Sequence, residues 1–363
     1  MTSERASGAF GGAAPEFEVR EAGGSSRSEP MRRRRSRRAP LVVAAALAFA
    51  AGAVHAQQKP VRLSIATGGT GGVYYPLGGG LASVLSRSLP GVEATAEVTA
   101  GSVDNIKLVG ARKVDIAFSL ADTAADGFNG VGKFKEKVPV RTAAVLYANK
   151  SHWVTLEGTG IEKMQDLKGR RIATGAPGSG TETIALRILE AYGIDPDKDV
   201  KREKLSVAES VGALKDRKID AFFWSGGVPT AAVTDLAATP GVKIKLLDHA
   251  DAIPAMVKKY GPLYVKGVIP ARSYPGQQKD VQEADVWNVL VVHEQADPQL
   301  VHDVVKTLFE HKADLVAVHS EAQNLDLSKQ YSGGSPIPFH PGAERYFAEK
   351  GLEAPQGGAG SGR

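Results

Sequence analysis

The sequence predicts an α/β protein of two lobes with a ligand cleft between them, and three observations carry that expectation. Short apolar runs alternate with amphipathic stretches along most of the chain. Two glycine-rich turns each follow an extended run and open a helix. The unit around the first turn is repeated in outline around the second.

The N-terminal region sets the compartment. Met31-Arg32-Arg33-Arg34-Arg35-Ser36-Arg37-Arg38 is strongly basic, Leu41–Ala50 is uncharged and apolar, and Val54-His55-Ala56 ends in the small residue of a cleavage site. That order is a secretory signal peptide over residues 31–56, too short and Ala-rich to anchor in a bilayer. Residues 1–30 are polar and unlike a targeting signal, and the expectation is an upstream extension ahead of a true start at Met31. Beyond residue 56 the chain keeps 36 of its 45 basic and 35 of its 40 acidic residues, close to neutrality. The basic excess therefore belongs to the leader, and no field remains to draw nucleic acid or a membrane surface. Cysteine is absent, which excludes disulfides, thiolate metal sites and a thiol nucleophile. Roughly 300 mature residues fit two domains better than one.

Along the mature chain, strands are expected at Val61–Ile65, Val92–Val98, Asp115–Phe118, Thr142–Ala148, Trp153–Leu156, Arg171–Thr174, Ala221–Trp224, Val242–Leu247, Tyr264–Ile269 and Val286–Val292. Helices are expected at Tyr74–Ser88, Ser102–Gly110, Thr181–Tyr192, Val207–Lys215, Pro229–Thr239, Ile253–Lys259 and Gln299–Leu315. In Tyr74–Ser88 the stripe Leu77, Leu81, Val84 and Leu85 marks a core-facing side. Each repeated unit runs from glycine turn through helix to a basic-x-Asp-hydrophobic step, with Lys113-Val114-Asp115-Ile116 echoing Lys218-Ile219-Asp220-Ala221. The expected lobes are 57–148 with 281–353, and 149–280, followed by a disordered Gly-rich tail at 354–363.

The two turns are Gly68-Gly69-Thr70-Gly71-Gly72-Val73-Tyr74 and Gly175-Ala176-Pro177-Gly178-Ser179-Gly180-Thr181. A helix start leaves N–H groups unpaired and carries partial positive charge, and glycine lets the backbone close on a ligand. Two such turns facing each other would clamp a small organic anion. Ligands of open α/β sheets bind beyond the carboxyl ends of the strands, where both turns fall. Taken singly, each turn reads equally well as a tight connection.

Enzyme motifs fail on inspection. From Gly69 and from Gly178 the third glycine of a dinucleotide fingerprint is replaced by Tyr74 and Thr183. Thr181 stands where a phosphate-binding loop needs lysine, and Pro177 breaks a nucleophile elbow around Ser179. His293, His302, His311, His319 and His340 show no metal-ligand spacing and read mostly as solvated helix faces. No catalytic residue, metal or cofactor is expected.

The run Gly69-Thr70-Gly71-Gly72-Val73-Tyr74-Tyr75-Pro76-Leu77-Gly78 resembles the opening motif of the TAXI family, the extracytoplasmic solute receptors of TRAP transporters. The likeness continues through Thr99–Asn105, Asp115–Phe118, Asp166–Ala173, Pro177–Thr181, Asp220–Phe223 and Tyr274–Gln277, in the expected order over about Val61 to Phe347. The resemblance implies a two-lobe periplasmic-binding-protein fold of type II-like plan. It implies a monomeric receptor, not an enzyme, that hands a carboxylate or an amino acid such as glutamate to an ion-gradient-driven TRAP permease. Carried onto this chain, it implies ligand contacts from Gly72, Val73, Tyr74, Ser102, Asn105, Gly178, Ser179, Gly180 and Thr181, with Gly226 and Gly227 leaving room for the ligand. Where the family pattern reads Gln-Ser-Asp, this chain has Ser119-Leu120-Ala121-Asp122, so Ser119 replaces a long amide at the expected pocket. Tyr147 reads as a ligand contact or a hinge-packing residue. A periplasmic sensor feeding a signalling protein would share every pocket residue.

Overall fold

The computed structural model describes residues 60–354. The expectations for residues 1–56 and for the tail past Ala354 lie outside the described residues. Strand β1 (Val61–Ala66), helix α1 (Tyr74–Ser88), β2 (Val92–Glu97), α2 (Ser102–Gly110) and β3 (Ile116–Leu120) form the first unit. Strand β5 (Arg171–Ala173), α4 (Gly180–Ala191), β6 (Lys201–Glu203), α5 (Val207–Lys215) and β7 (Ala221–Gly226) form the second. Both are parallel, and both place their first strand between the other two, as β2-β1-β3 and β6-β5-β7. The echoed aspartates explain part of this likeness. The Asp115 carboxylate accepts from the backbone N–H of Ser64 at 2.8 Å, and that of Asp220 from the N–H of Arg171 at 2.9 Å. Each aspartate pins the start of its unit's third strand to the first strand.

Two long antiparallel strands, β4 (Val140–Leu156) and β10 (Val281–His293), pair with each other and run through both lobes. Strand β10 borders β3 and also pairs with β9 (Tyr264–Ile269), while β4 borders β7 and β8 (Ile244–Leu246). One buried apolar cluster includes Val103 and Ile106 of α2, Val289 of β10, Trp153 of β4 and Ile184 and Ile188 of α4, so the core is continuous across the crossing strands. The stripe of α1 is buried against β1 and α8 (Pro298–Glu310). The remaining helices are α3 (Ala121–Asn129), α6 (Ala231–Ala238), α7 (Ile253–Tyr260), α9 (Lys312–Val318) and α10 (Pro341–Glu349). No helix among the described residues is long and apolar enough to cross a membrane.

Several expectations are corrected. The strands expected at Thr142–Ala148 and Trp153–Leu156 are one, because the intervening Asn149, Ser151 and His152 are buried and hydrogen-bonded inside β4. His152 donates from Nδ1 to the Lys150 carbonyl at 3.1 Å and accepts at Nε2 from the Tyr274 hydroxyl at 2.9 Å; burial holds it neutral, pushing its pKa down to about 3. The helix expected at Gln299–Leu315 breaks at His311, whose Nε2 meets Ser88 Oγ of α1 at 3.2 Å. His302 and His340 are buried rather than solvated: His302 bridges Asp303 and Glu349, and His340 caps α10 through the N–H of Gly342.

A buried acidic pair lies on β10. The carboxyls of Glu283 and Asp285 both lie over Gly267 of β9, where a Cβ would stand 2.1 Å from an oxygen of each. Lys150 is the ion partner of both, 3.6 Å from Glu283. Glu283 Oε1, the atom facing Lys150, and Asp285 Oδ1 are each buried without a hydrogen-bond partner. A single proton on Glu283 satisfies both atoms, and burial with the neighbouring Asp285 pushes the Glu283 pKa up to about 10. A raised folded-state pKa means that folding takes up a proton between the ordinary glutamate value and about 10, so stability falls as pH rises through that window. Glu283→Gln is expected to flatten this dependence, whose limit is about 1.4 kcal/mol per pH unit. Urea midpoints across mildly acidic to alkaline pH check it, and parallel curves for the two proteins would refute the shared proton.

Candidate functional site

Four helix starts converge on one cleft between the lobes: those of α1 and α2 from the first unit, and α4 and α5 from the second. The cleft has a volume of about 220 Å³, at or below the lower end of the roughly 300–1,000 Å³ range of small-molecule pockets. Neither α1 nor α2 has a side-chain cap, since Val73 and Gly101 stand at their N-cap positions. The starts of α4 and α5 carry serine caps: Ser179 Oγ accepts from the Glu182 N–H at 3.1 Å and Ser206 Oγ from the Glu209 N–H at 3.4 Å. Those caps take the third N–H of each helix and leave the first two to face the cleft.

The lobes are closed on each other. The Asp104 N–H of α2 donates to the Gly178 carbonyl at 3.0 Å. Gly72 of the first turn lies beneath the Trp224 indole, so that a Cβ there would stand 2.9 Å from the ring. The floor is a chain of hydrogen bonds across β4, β10 and β7. The Tyr74 hydroxyl donates to Asn288 Oδ1, Asn288 Nδ2 to Asn149 Oδ1 at 3.0 Å, and Asn149 Nδ2 to Ser225 Oγ at 3.0 Å. Burial raises the Tyr74 pKa, so its hydroxyl stays a donor.

Of the residues expected to meet ligand, Gly72, Val73, Tyr74, Ser102, Ser179, Gly180, Thr181 and Gly226 line this cleft. Three are placed elsewhere. Asn105 is fully buried under α2, donating to the carbonyls of Thr67 and Phe118 at 2.7 Å and accepting from Thr99 Oγ1 at 2.6 Å. Ser119 is buried in β3 and donates to the Leu120 carbonyl at 3.0 Å. Gly178 sits on the lobe contact against Asp104. Two lining residues also have local duties. The Gly72 N–H donates to the Gly69 carbonyl at 3.1 Å, and the space beside Gly226 is filled by the Trp224 indole. Gly227 makes room for Glu321 and not for a ligand. Lining residues that the sequence reading passed over include Asn149, Ser206, Val207 and Ser225.

Ser179 is committed twice, since its Oγ also donates to the Ala176 carbonyl at 2.6 Å. Ser179→Ala is therefore expected to lower stability by about 1 kcal/mol through the lost cap. Paired denaturation and binding curves check this, and a large affinity loss at unchanged stability would return the hydroxyl to the ligand.

A closed interlobe cleft on two repeated parallel units, joined by two crossing strands, defines a two-lobe periplasmic-binding-protein fold of type II-like plan. The chain belongs to the NMT1-like family, whose model matches residues 65–351. Among solved structures it is similar to the alkanesulfonate-binding protein SsuA from Xanthomonas axonopodis pv. citri bound to MOPS, at 16% identity over 80% of this chain and 84% of that one, with a TM-score of 0.44. It is similar to the ligand-binding component of an ABC-type import system from Staphylococcus aureus with zinc bound, at 13% identity over 78% and 98%, with a TM-score of 0.47. It is also similar to a Corynebacterium glutamicum OxyR mutant with hydrogen peroxide bound, at 12% identity over 86% and 74%, with a TM-score of 0.45. What each of those proteins binds is a property of that protein.

Proposed function

We propose that this chain is an exported solute receptor that closes its lobes on one small organic anion and delivers it to a TRAP-type permease driven by an ion gradient. The observation that carries the reading is the convergence of four helix starts, two from each lobe, on a closed cleft. Partial positive charge at each start favours an anion, and donors from both lobes make ligand binding and closure one event. The TAXI-like motifs support the TRAP class of permease within this reading. The expected lobe division at 148/149 and 280/281 belongs to the same reading. The first boundary is supported where β4 pairs with β10 as far as Asn149 and with β7 from Lys150 onward, whereas Val281–Val286 still pair with β9, so the second boundary falls later along β10.

Native mass spectrometry of the purified protein, before and after unfolding and refolding, tests the proposal. A small anionic adduct that disappears on refolding supports it. No adduct, together with no thermal shift across a panel of carboxylates, counts against it.

A further inference from the structure

The cleft lining carries no Asp, Glu, Lys, Arg or His side chain. That is unusual company for a zwitterion. An ammonium group taken out of water needs a carboxylate or several unengaged oxygens, and four helix starts oppose it with their own positive ends. Of the acidic groups in the first turns of these helices, Asp104 of α2 faces Gly178 across the lobe contact, Glu182 of α4 is paired with Lys133 and Arg202, and Glu209 of α5 accepts from the Ser206 N–H at 2.8 Å. Glu321 accepts from the Val228 N–H at 2.6 Å and from Asn324 Nδ2 at 2.7 Å, and Asp122 is held by Arg187 at 3.1 Å. Three side-chain oxygens of the wall already accept hydrogen bonds from the protein. Asn149 Oδ1 accepts from Asn288 Nδ2, Ser225 Oγ from Asn149 Nδ2, and Ser102 Oγ from the Leu120 N–H at 3.0 Å.

One buried hydroxyl of the wall is unspent. Tyr147 lines the cleft from β4, is fully buried, and its hydroxyl has no hydrogen-bond partner. Burial and the nearby Tyr74 and Glu321 hold that hydroxyl protonated, so it reaches the cleft as a donor. Val98, Leu120, Val207 and Trp224 make the rest of the wall apolar.

Resting on the reading of this cleft as a solute site, we propose that its ligand is a small carboxylate with an apolar substituent and no ammonium group. That class includes 2-oxo acids, 2-hydroxy acids and plain carboxylates, and it leaves amino acids out. The carboxylate is held by helix-start N–H groups and the Tyr147 hydroxyl, and the substituent lies against the Trp224 side of the cleft. This narrows the class that the TAXI resemblance implies, in which amino acids such as glutamate stand beside carboxylates.

Calorimetry on the refolded protein with matched pairs isolates the ammonium group. The pairs are 4-methyl-2-oxopentanoate with leucine and 2-oxobutanoate with 2-aminobutanoate; 2-oxoglutarate with glutamate is added as a dicarboxylate pair, and tightest binding by 2-oxoglutarate overturns the apolar substituent. The oxo acid of the best-binding pair is expected to bind roughly a hundredfold tighter than its amino acid. An amino acid binding as well as, or better than, its oxo acid overturns the inference and leaves the receptor reading standing. No binding by any member overturns the solute-anion reading itself, and this inference with it. Tyr147→Phe keeps the packing and is expected to weaken the best-binding oxo acid roughly tenfold without lowering the thermal midpoint. Undiminished affinity in that variant removes the hydroxyl from the anion site.

Discussion

Replacing Arg187 by methionine is expected to destabilise the protein by about 3–5 kcal/mol, the cost of leaving a buried charge without its partner. Arg187 lies on α4 in one lobe and is 7% exposed. Its guanidinium reaches Asp122 at 3.1 Å and Asp126 at 2.5 Å, both on α3 in the other lobe, and donates to the Tyr264 hydroxyl at 2.6 Å. It also stacks on the Tyr260 ring, 4.2 Å from the centroid. Asp122 is fully buried. Without the arginine it keeps three neutral donors, the Tyr264 hydroxyl at 2.8 Å, the Thr123 N–H at 2.7 Å and the Thr123 hydroxyl at 3.3 Å, against a full negative charge. Against a typical stability of about 5–15 kcal/mol, that loss is a large fraction of the whole. Urea denaturation checks it. The triple variant Arg187→Met, Asp122→Leu, Asp126→Leu removes both charge signs together and is expected to recover most of the loss, because desolvation then falls on no ion. A single-variant loss below about 1 kcal/mol, the level of an exposed pair, would show that the bridge is not desolvated in solution.

This bridge also shows where the sequence was opaque. Asp122 and Asp126 sit in Ala-Asp-Thr-Ala-Ala-Asp-Gly-Phe-Asn, a stretch with little apolar periodicity, and α3 was not expected there. The helix buries both aspartates because Arg187, 61 residues or more away, neutralises them, and no local pattern announces a partner at that distance. The strands β4 and β10 hid part of their length for a related reason: their buried polar residues are satisfied by contacts across the sheet, and they read as breaks. What was legible is what local chemistry decides. Helices α1, α2 and α5 run over the expected residues because an apolar stripe and a serine, glycine or proline at the start mark each one. Half of the cleft was legible as glycine turns. The other half was present in the internal repeat and went unused: Ser206-Val207 opens the second helix of its unit as Ser102-Val103 opens that of the first. Asn105 was misplaced because an amide at a helix start serves a ligand or the neighbouring backbone equally well, and here it ties α2 to the residue after β1 and to the middle of β3.

Gly180→Leu is expected to weaken ligand binding by roughly a hundredfold or more while leaving the unliganded protein folded. Gly180 is the first residue of α4, and a Cβ there would stand 2.6 Å from Leu120 Cδ1, 2.7 Å from Ser102 Oγ and 3.0 Å from Ser102 Cβ. Both neighbours belong to the opposite lobe. Ser102 Oγ is held by the Leu120 N–H, so turning it away costs that bond, and the 3.0 Å approach to Ser102 Cβ is relieved only by shifting backbone. The clash therefore acts on the distance between lobes and not within either one. Opening the cleft relieves it, which is why folding survives and closure does not. Gly180→Ala carries the same Cβ and is expected to fall between the two, separating the effect of closure from that of a bulky side chain filling the anion site. Small-angle scattering of the refolded variants should show a larger radius of gyration that the best-binding carboxylate no longer reduces. A leucine variant that binds and compacts like the parent would mean that α4 does not face the ligand, and would remove one of the four helix starts on which the anion site is built.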